Sequence, residues 1–531
     1  MAEFTDAVLN PALFLERAAT FLSDQTAIID GDRRFTYGEF GERARKLAGM
    51  LAGLGIKPGD RVAALCVNSH VMLELHNGTF MAAAVLVPMN IRLSVGELAY
   101  VVEHSGARLL IATEELADTA RKVAEQTGVR LIVGGSPNTE YEQLLGKAQP
   151  LFLPCADEKG LLAINYTSGS TGKPKGVMYS YRGAYLQALA MAYHTRMGLD
   201  SVYLWTLPMF HCDGWCFTWA VTAAASTHVC LRKADPVLAW RMIFERGITH
   251  LSGAPTVLTM IAEAAAAAPN LRPIHPIYAN TGGAPPSPAL LARLAKLKIN
   301  VTHLYGLTES YGPAVINQWH PQWSSESPEQ QARLNARQGI GNVITGGLDV
   351  FDMDGNPVPW DGETIGEIVL RGNNTMIGYY RDDEATRAAT IKGWFRTGDL
   401  GVRHPDGYIE LKDRAKDIII TGGENVASVE VERVLVEHPA VLEAAVVGRN
   451  DPKWGEIPVA FVVLRQGTAA TAAELMEFVR SRIAHFKAPK EIRFEELPKT
   501  STGKIQKHVL RARVVSESGG AGQTLQSKIT G

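Results

Sequence analysis

Net charge, cysteine and long apolar runs are all scarce in this chain of 531 residues. Lysine and arginine number 53 against 55 aspartates and glutamates, a formal net charge of -2, so electrostatics offers no ground for a nucleic-acid or membrane partner. The five cysteines, Cys66, Cys155, Cys212, Cys216 and Cys230, are too few and too scattered for a disulfide framework in so long a chain. That suits a reducing compartment, and the expected location is cytoplasmic. Cys212 and Cys216 beside His211 invite a zinc reading, but no second ligand pair with metal-site spacing accompanies them. The most apolar region, residues 202–231, is broken by Pro208, His211, Asp213 and His228, which makes it core or pocket wall rather than a membrane span. The opening Met1-Ala-Glu-Phe-Thr-Asp has no basic stretch before an apolar one, so no secretory leader is expected.

What is abundant is concentrated. Tyr166-Thr-Ser-Gly-Ser-Thr-Gly-Lys-Pro-Lys-Gly176 follows the apolar run Leu161-Leu-Ala-Ile164 and crowds hydroxyls, glycines and two lysines together. Glycines let backbone N–H groups approach an anion, hydroxyls donate to phosphate oxygens, and Lys173 and Lys175 bring positive charge. The segment lacks Walker A spacing, which needs four residues between its first glycine and the Gly-Lys pair. A solvated Gly/Ser/Thr turn is the plainer alternative.

Length alone predicts two or more domains. From residue 33 to 150 the pattern alternates between helix and strand. A capping box at Thr36 and Glu39 opens onto Phe40, Ala44, Leu47 and Leu51, and then come a strand over 61–66, a helix over 71–84, a strand over 85–87, a helix over 94–104 and a strand over 107–112. Such βα repetition predicts a mostly parallel sheet covered by helices. Similar units recur from 229 to 267. After about residue 340, short strands separated by Asp354-Gly355, Asp361-Gly362 and Asp406-Gly407 predict an antiparallel or mixed sheet with tight turns. A boundary is expected near Asp413-Arg-Ala-Lys416, followed by a compact α+β unit, with a frayed tail from residue 517.

Together these segments make the chain resemble the adenylate-forming acyl-CoA synthetases, the AMP-binding superfamily. The resemblance runs from about residue 12 to 512 and rests on motifs in fixed order: Tyr166 to Gly176, Pro208-Met-Phe-His211, Gly282-Gly-Ala-Pro285, Tyr305-Gly-Leu-Thr-Glu-Ser310, Trp394-Phe-Arg-Thr-Gly-Asp399, Asp413-Arg-Ala-Lys416, Gly422-Gly-Glu-Asn425 and Pro498-Lys-Thr-Ser-Thr-Gly-Lys504. It implies a large N-terminal domain (1–413) of two α/β subdomains plus a small β-rich one, a hinge region (414–416), and a mobile α+β C-terminal lid (417–531). It also implies that ATP activates a carboxylic acid as an acyl-adenylate, with release of pyrophosphate, and that coenzyme A then takes the acyl group as AMP leaves. Mg²⁺ is the expected metal, and a homodimer is left open. Transfer to a carrier protein is the alternative enzymatic outcome, and an ATP-binding regulator is the non-enzymatic one.

By the same resemblance, Thr167, Ser168, Gly169, Ser170, Thr171, Gly172 and Lys173 enclose the β- and γ-phosphates, with Lys175 more peripheral or simply a solvated loop lysine. Tyr305 stacks near adenine opposite Gly283, Ala284 and Pro285. Thr308 faces the α-phosphate and Glu309 binds Mg²⁺. Asp399 accepts the ribose hydroxyls, Arg414 reaches the ribose and phosphate region, and Lys416 marks the hinge. Lys504 is the catalytic lysine, although Lys487, Lys490, Lys499, Lys504 and Lys507 also read as a basic lid face. Gly423 and Glu424 approach the pantetheine channel. His211, Trp215, Val257, Gly282 and Gly306 surround the acyl group. If residues 211–215 are helical, His211 and Trp215 share a face and the indole caps the pocket, with plain core packing as the alternative. A short- to medium-chain acid is expected, with methylmercaptopropionate-type ligases among the similar enzymes.

Overall fold

The computed structural model describes residues 7–167, 174–283, 286, 288–414, 417–421, 424–451, 453–499 and 505–514. The chain divides into two compact units, one of Met1–Leu348 with Leu370–Phe395 and one of Asp349–Val369 with Arg396–Gly531.

The first unit is α/β and contains two large sheets. Early in the chain come β1 (Thr26–Asp30), α1 (Tyr37–Gly53), β2 (Arg61–Leu65), α2 (His70–Met81), β3 (Val85–Pro88), α3 (Val95–Ser105), β4 (Ala107–Thr113) and β5 (Arg130–Gly134). The capping box expected for α1 is formed: Thr36 accepts from the Glu39 N–H while the Glu39 carboxylate takes the Thr36 N–H. Ser94 and Glu97 repeat the device on α3, and Gly106 ends that helix in the left-handed region.

Strands β2 to β5 and β6 (Leu161–Thr167) run parallel in the order β5-β4-β2-β3-β6, and β7 (Lys175–Ser180) folds back antiparallel on β6. The short strand Gly378–Tyr379 closes that edge by pairing with Met178 and Val177. The second sheet places β8 (Val202–Trp205), β9 (Thr227–Cys230), β10 (His250–Gly253), β11 (Ile277–Thr281) and β12 (Ile299–Leu307) parallel with β1 in the order β12-β11-β10-β8-β9-β1. The strand β13 (Gly312–Ile316) turns back antiparallel along β12. Parallel strands covered on both faces must be apolar throughout, and β2, β3 and β9 are buried almost end to end. Ligands of such sheets bind beyond the carboxyl ends of the strands.

The second unit is smaller and α+β. β14 (Trp394–Arg403) pairs antiparallel with β15 (Ile409–Arg414), Asp399 lying opposite Arg414. The Asp-Gly turns form as their composition dictates: Asp352 accepts from the N–H groups of Asp354 and Asn356, Asp361 from those of Glu363 and Thr364, and Asp406 from that of Tyr408. Farther on, α4 (Ser428–Glu437) and α5 (Ala472–Arg480) accompany a sheet containing β16 (Val441–Asp451), β17 (Gly455–Leu464) and β18 (Glu491–Phe494). The two faces of that sheet alternate along β16: Val446 joins the core beneath the helices, whereas Ala445 and Val447 join Phe461, Leu510 and Val514. A large α/β unit with a smaller α+β unit is the fold class expected above. Among the described residues no helix is long and apolar enough to cross a membrane.

Candidate functional site

The loop Ser168–Lys173 lies outside the described residues, but its two stems are placed. Thr167 on β6 pairs with Lys175 on β7, so the stems form an antiparallel pair at the end of a parallel strand. Lys175 is not simply solvated. Its Nζ lies 3.8 Å from Asp382 and 4.9 Å above the Tyr379 ring.

In the other sheet, the β12–β13 connection carries Thr308 and Glu309 on one 3₁₀ turn, Thr308–Ser310. The turn is held from several sides. Ser310 Oγ accepts from the Leu307 N–H at 2.9 Å and donates to the Gly312 carbonyl at 2.8 Å. Tyr179 Oη donates to the Thr308 carbonyl at 2.6 Å, and its ring stacks on Tyr311 with centroids 3.9 Å apart. Tyr379 Oη donates to Glu309 Oε1 at 2.8 Å, while the Met376 N–H donates to the Glu309 carbonyl. Burial, reinforced by the Glu309 charge, pushes the Tyr379 phenol well above its ordinary range, so it remains a donor.

The segment after His211 is not the right-handed helix that a shared face would require. Cys212, Asp213, Gly214, Trp215 and Cys216 all have positive φ, from 45° to 62°, so this is a left-handed turn and the shared-face argument for His211 and Trp215 does not hold. Trp215 nevertheless lies beside Gly282, one of the residues grouped with it above. A Cβ on Gly282 would stand 3.0 Å from the indole Cη2, and one on Gly312 would stand 3.2 Å from Cδ1. Gly306 lies in the same layer, where a Cβ would fall 1.9 Å from the Gly312 carbonyl oxygen. Glycine is therefore required at Gly306 for β12 and β13 to approach and present their turn.

Cys212 contacts both ends of the arrangement. Its Sγ donates to Thr308 Oγ1 at 3.4 Å and lies 3.7 Å from His211 Nε2. Burial raises its thiol to about 12, which keeps it protonated. Val257, in the helix Pro255–Ala267, packs over Gly253 at the end of β10. Tyr305 on β12 is buried, and Gly283 follows β11 with φ 87°. Ala284 and Pro285 lie outside the described residues.

In the second unit, Asp399 is buried on β14, preceded by Gly398 at φ 71°, whose N–H donates to Glu367. Arg414 ends β15, and Glu424 is exposed at the start of a short strand. Lys416, Gly423 and Lys504 lie outside the described residues. The basic lid face is corrected in part: Lys487, Lys499 and Lys507 are ion-paired with Glu430, Glu443 and Glu432 at 2.6–2.8 Å. Lys507 also donates to Ser428 Oγ, which in turn donates to Asp413 at 2.7 Å, so it is part of the fold of that unit.

Tyr379, Tyr179 and Tyr311 are not among the site residues expected from the sequence, and Cys212 enters there only as a zinc candidate. The only signal was the pair Tyr379-Tyr380 and the position of Cys212 next to His211.

A family model for AMP-binding enzymes matches residues 14–380, and one for the AMP-binding enzyme C-terminal domain matches residues 430–504. The chain is 42% identical to 4-hydroxybutyrate–CoA ligase 2 of Metallosphaera sedula, over 95% of this chain and 94% of that one. It is 41% identical to the peroxisomal acetate/butyrate–CoA ligase AAE7 of Arabidopsis thaliana, with the same coverage of each. The structure superimposes on the o-succinylbenzoate CoA synthetase of Bacillus subtilis in complex with its acyl-adenylate intermediate, with TM-score 0.81, 27% identity, and 94% and 97% of the two chains covered. The cytoplasmic expectation is overturned by these comparisons, because several similar plant enzymes, AAE7 and the butyrate–CoA ligase AAE11 of Arabidopsis thaliana among them, are peroxisomal. Cysteine scarcity is compatible with more than one compartment and cannot separate them.

Proposed function

We infer the substrate class from the premise that this chain belongs to the AMP-binding enzyme family. It is an acid–thiol ligase that uses ATP to activate a carboxylic acid as an acyl-adenylate and passes the acyl group to coenzyme A. The acid proposed is short and aliphatic, of the size of acetate, butyrate or 4-hydroxybutyrate. The observation that carries this is the indole of Trp215 lying against Gly282 and Gly312, two glycines whose missing side chains are filled by one bulky ring. That leaves little depth for a long tail, and the similar enzymes that act on 4-hydroxybutyrate and on acetate and butyrate support the same size. Apolar pockets separate single methylenes only modestly, so several neighbouring acids are substrates.

Joining a carboxylate to ATP brings two anions together, which calls for cations and oriented donors rather than a protein nucleophile. Thr167 and Ser168 to Lys173 bind the terminal phosphates, and Lys175, tied to Asp382 and Tyr379, braces that hairpin. Thr308 donates toward the α-phosphate. Tyr305, with Gly283, Ala284 and Pro285, receives adenine. Asp399 and Arg414 bind ribose, Lys504 neutralises the reacting carboxylate and α-phosphate, Gly423 and Glu424 serve the thiol half-reaction, and Lys416 is the hinge. Mg²⁺ fits Glu309: the Tyr379 phenol orients its carboxylate, and a hard cation that keeps water and phosphate ligands needs only one or two protein oxygens. Such an ion, when bound, counters charge on the phosphates.

The test is production of AMP and acyl-CoA from ATP and CoA over acetate, butyrate, 4-hydroxybutyrate, 2-methylpropanoate, hexanoate, octanoate, benzoate and cinnamate. The highest kcat/KM is expected among the first four. A clear preference for benzoate, cinnamate or octanoate would overturn the substrate class.

A further inference from the structure

The left-handed turn Cys212–Cys216 contains one glycine, and the other four residues each carry a strain of about 1–2 kcal/mol. Something must hold it. The Asp213 N–H donates to Asn165 Oδ1 at 3.2 Å, and Thr218 Oγ1 donates to the Asp213 carbonyl at 3.0 Å. The Asp213 side chain is entirely buried, yet neither carboxyl oxygen has a hydrogen-bond partner among the described residues. Two further polar atoms there are also without one: Nε2 of His76, 3.7 Å from Asp213 Oδ2, and Nδ2 of Asn165.

The His76 tautomer is fixed by its other nitrogen. Nδ1 lies 2.7 Å from the Met72 carbonyl, which can only accept, so Nδ1 carries the proton and Nε2 of the neutral ring is an acceptor. Burial lowers His76 to about 4, so the ring stays neutral. An ionised Asp213 would then set acceptor against acceptor, with no room for a water between them. The other titratable groups facing it are Tyr179 from β7, Tyr311 beside β13, and Cys212 and Cys216 of its own turn, none of them cationic. A proton on Asp213 removes the acceptor-against-acceptor conflict and leaves the fully buried pair uncharged, whereas a proton on His76 would bury an ion pair that no further donor or acceptor supports. Burial, partly offset by Asn165, raises Asp213 to about 7, in keeping with that state.

We propose that Asp213 is a positioning residue held as a carboxylic acid: its O–H is directed at His76 Nε2, 3.7 Å away, its carbonyl oxygen is the acceptor for the otherwise orphaned Asn165 Nδ2, and this pairing pins the left-handed turn that sets Trp215 against Gly282 and Gly312. The inference rests on the Trp215 surface being the wall that meets the acid, as proposed above. Asp213 touches no reactant itself. It acts through Trp215, so its loss is felt in recognition of the acid and not of ATP.

Asp213→Ala and Asp213→Asn separate this from a generic packing role, because an amide N–H can replace the carboxylic O–H whereas a methyl cannot. Asp213→Ala is expected to raise KM for butyrate about tenfold with KM for ATP unchanged within about twofold, and Asp213→Asn to restore the acid KM within about threefold. The wild-type acid KM should rise as pH climbs above the neutral range, while that of Asp213→Asn should not. Infrared spectra supply a readout that needs no turnover: wild type should show the carbonyl band of a protonated carboxylic acid that Asp213→Asn lacks. Asn behaving like Ala, KM for acid and ATP rising together, or the absence of that band would each overturn the proposal. The infrared band decides where the proton sits even if wild type fails on every acid, a failure that would sink the proposed function alone.

Discussion

The Tyr379 phenol donates to the Glu309 carboxylate at 2.8 Å, joining the edge strand Gly378–Tyr379 to the turn after β12. The same ring lies under Lys175, so a single side chain ties the phosphate hairpin to the carboxylate assigned to Mg²⁺. Tyr379→Phe keeps the ring and removes the donor. It should raise the Mg²⁺ concentration for half-maximal activity and lower kcat about tenfold, the size expected for a lost hydrogen bond to a charged group, with little change in melting temperature. Magnesium titrations and thermal melts measure both, and an unchanged magnesium requirement would remove Tyr379 from this role.

That contact illustrates what the sequence could and could not disclose. The Thr36–Glu39 capping box, the βα alternation through residue 113 and the Asp-Gly turns are local, so their residues announce them. Tyr379 and Glu309 are 70 residues apart and meet only because Gly378–Tyr379 joins a sheet edge, which no local pattern specifies. Trp215 and Gly282 are grouped by the family resemblance, whereas the helical spacing that would pair Trp215 with His211 is one that the chain does not adopt. Cys212, Trp215 and Cys216 carry no preference for positive φ, so the turn is imposed largely by tertiary contacts rather than composition.

Lys504 is assigned to the first half-reaction only. Lys504→Ala should depress pyrophosphate release far more than transfer to CoA from a supplied acyl-adenylate, because in the proposed role its charge serves the transition state of adenylation and not thiol attack. Rapid-quench measurement of the two half-reactions decides the matter, and equal loss in both would contradict the assignment.

Asp30 and His70, both fully enclosed, share a hydrogen bond of 2.6 Å, and Arg232 closes on the same carboxylate. Burial alone would raise Asp30, but its bond to His70, with Arg232 on the other side, holds the carboxyl well below its ordinary range. Arg33 Nη1 lies 3.0 Å from His70 Nε2 and can only donate, so that nitrogen accepts, Nδ1 donates to Asp30 and the ring is neutral. The Asp30 contribution is therefore present above the ordinary carboxylate range and lost as pH falls through its lowered value. Asp30→Asn should cost about 3 kcal/mol near neutral pH, with the difference from wild type narrowing on acidification. Urea unfolding across pH tests it, and a pH-independent difference would show that the Asp30 charge contributes nothing.

Gly282 and Trp215 provide opposite adjustments of one wall. Trp215→Ala removes the indole, so the best acid should lengthen, and each additional buried CH₂, worth about 0.8 kcal/mol, should improve relative kcat/KM roughly fourfold. Gly282→Ala works the other way, since its Cβ would stand 3.0 Å from the indole and, if the ring is the proposed pocket wall, push it toward the acid. That variant should favour acetate over butyrate more strongly than wild type. Specificity profiles over linear acids for both variants, with KM for ATP as the control, test the pair together. Opposite displacements of the length optimum are expected, and a shift in the same direction for both would mean that Trp215 packs the core without facing the acid.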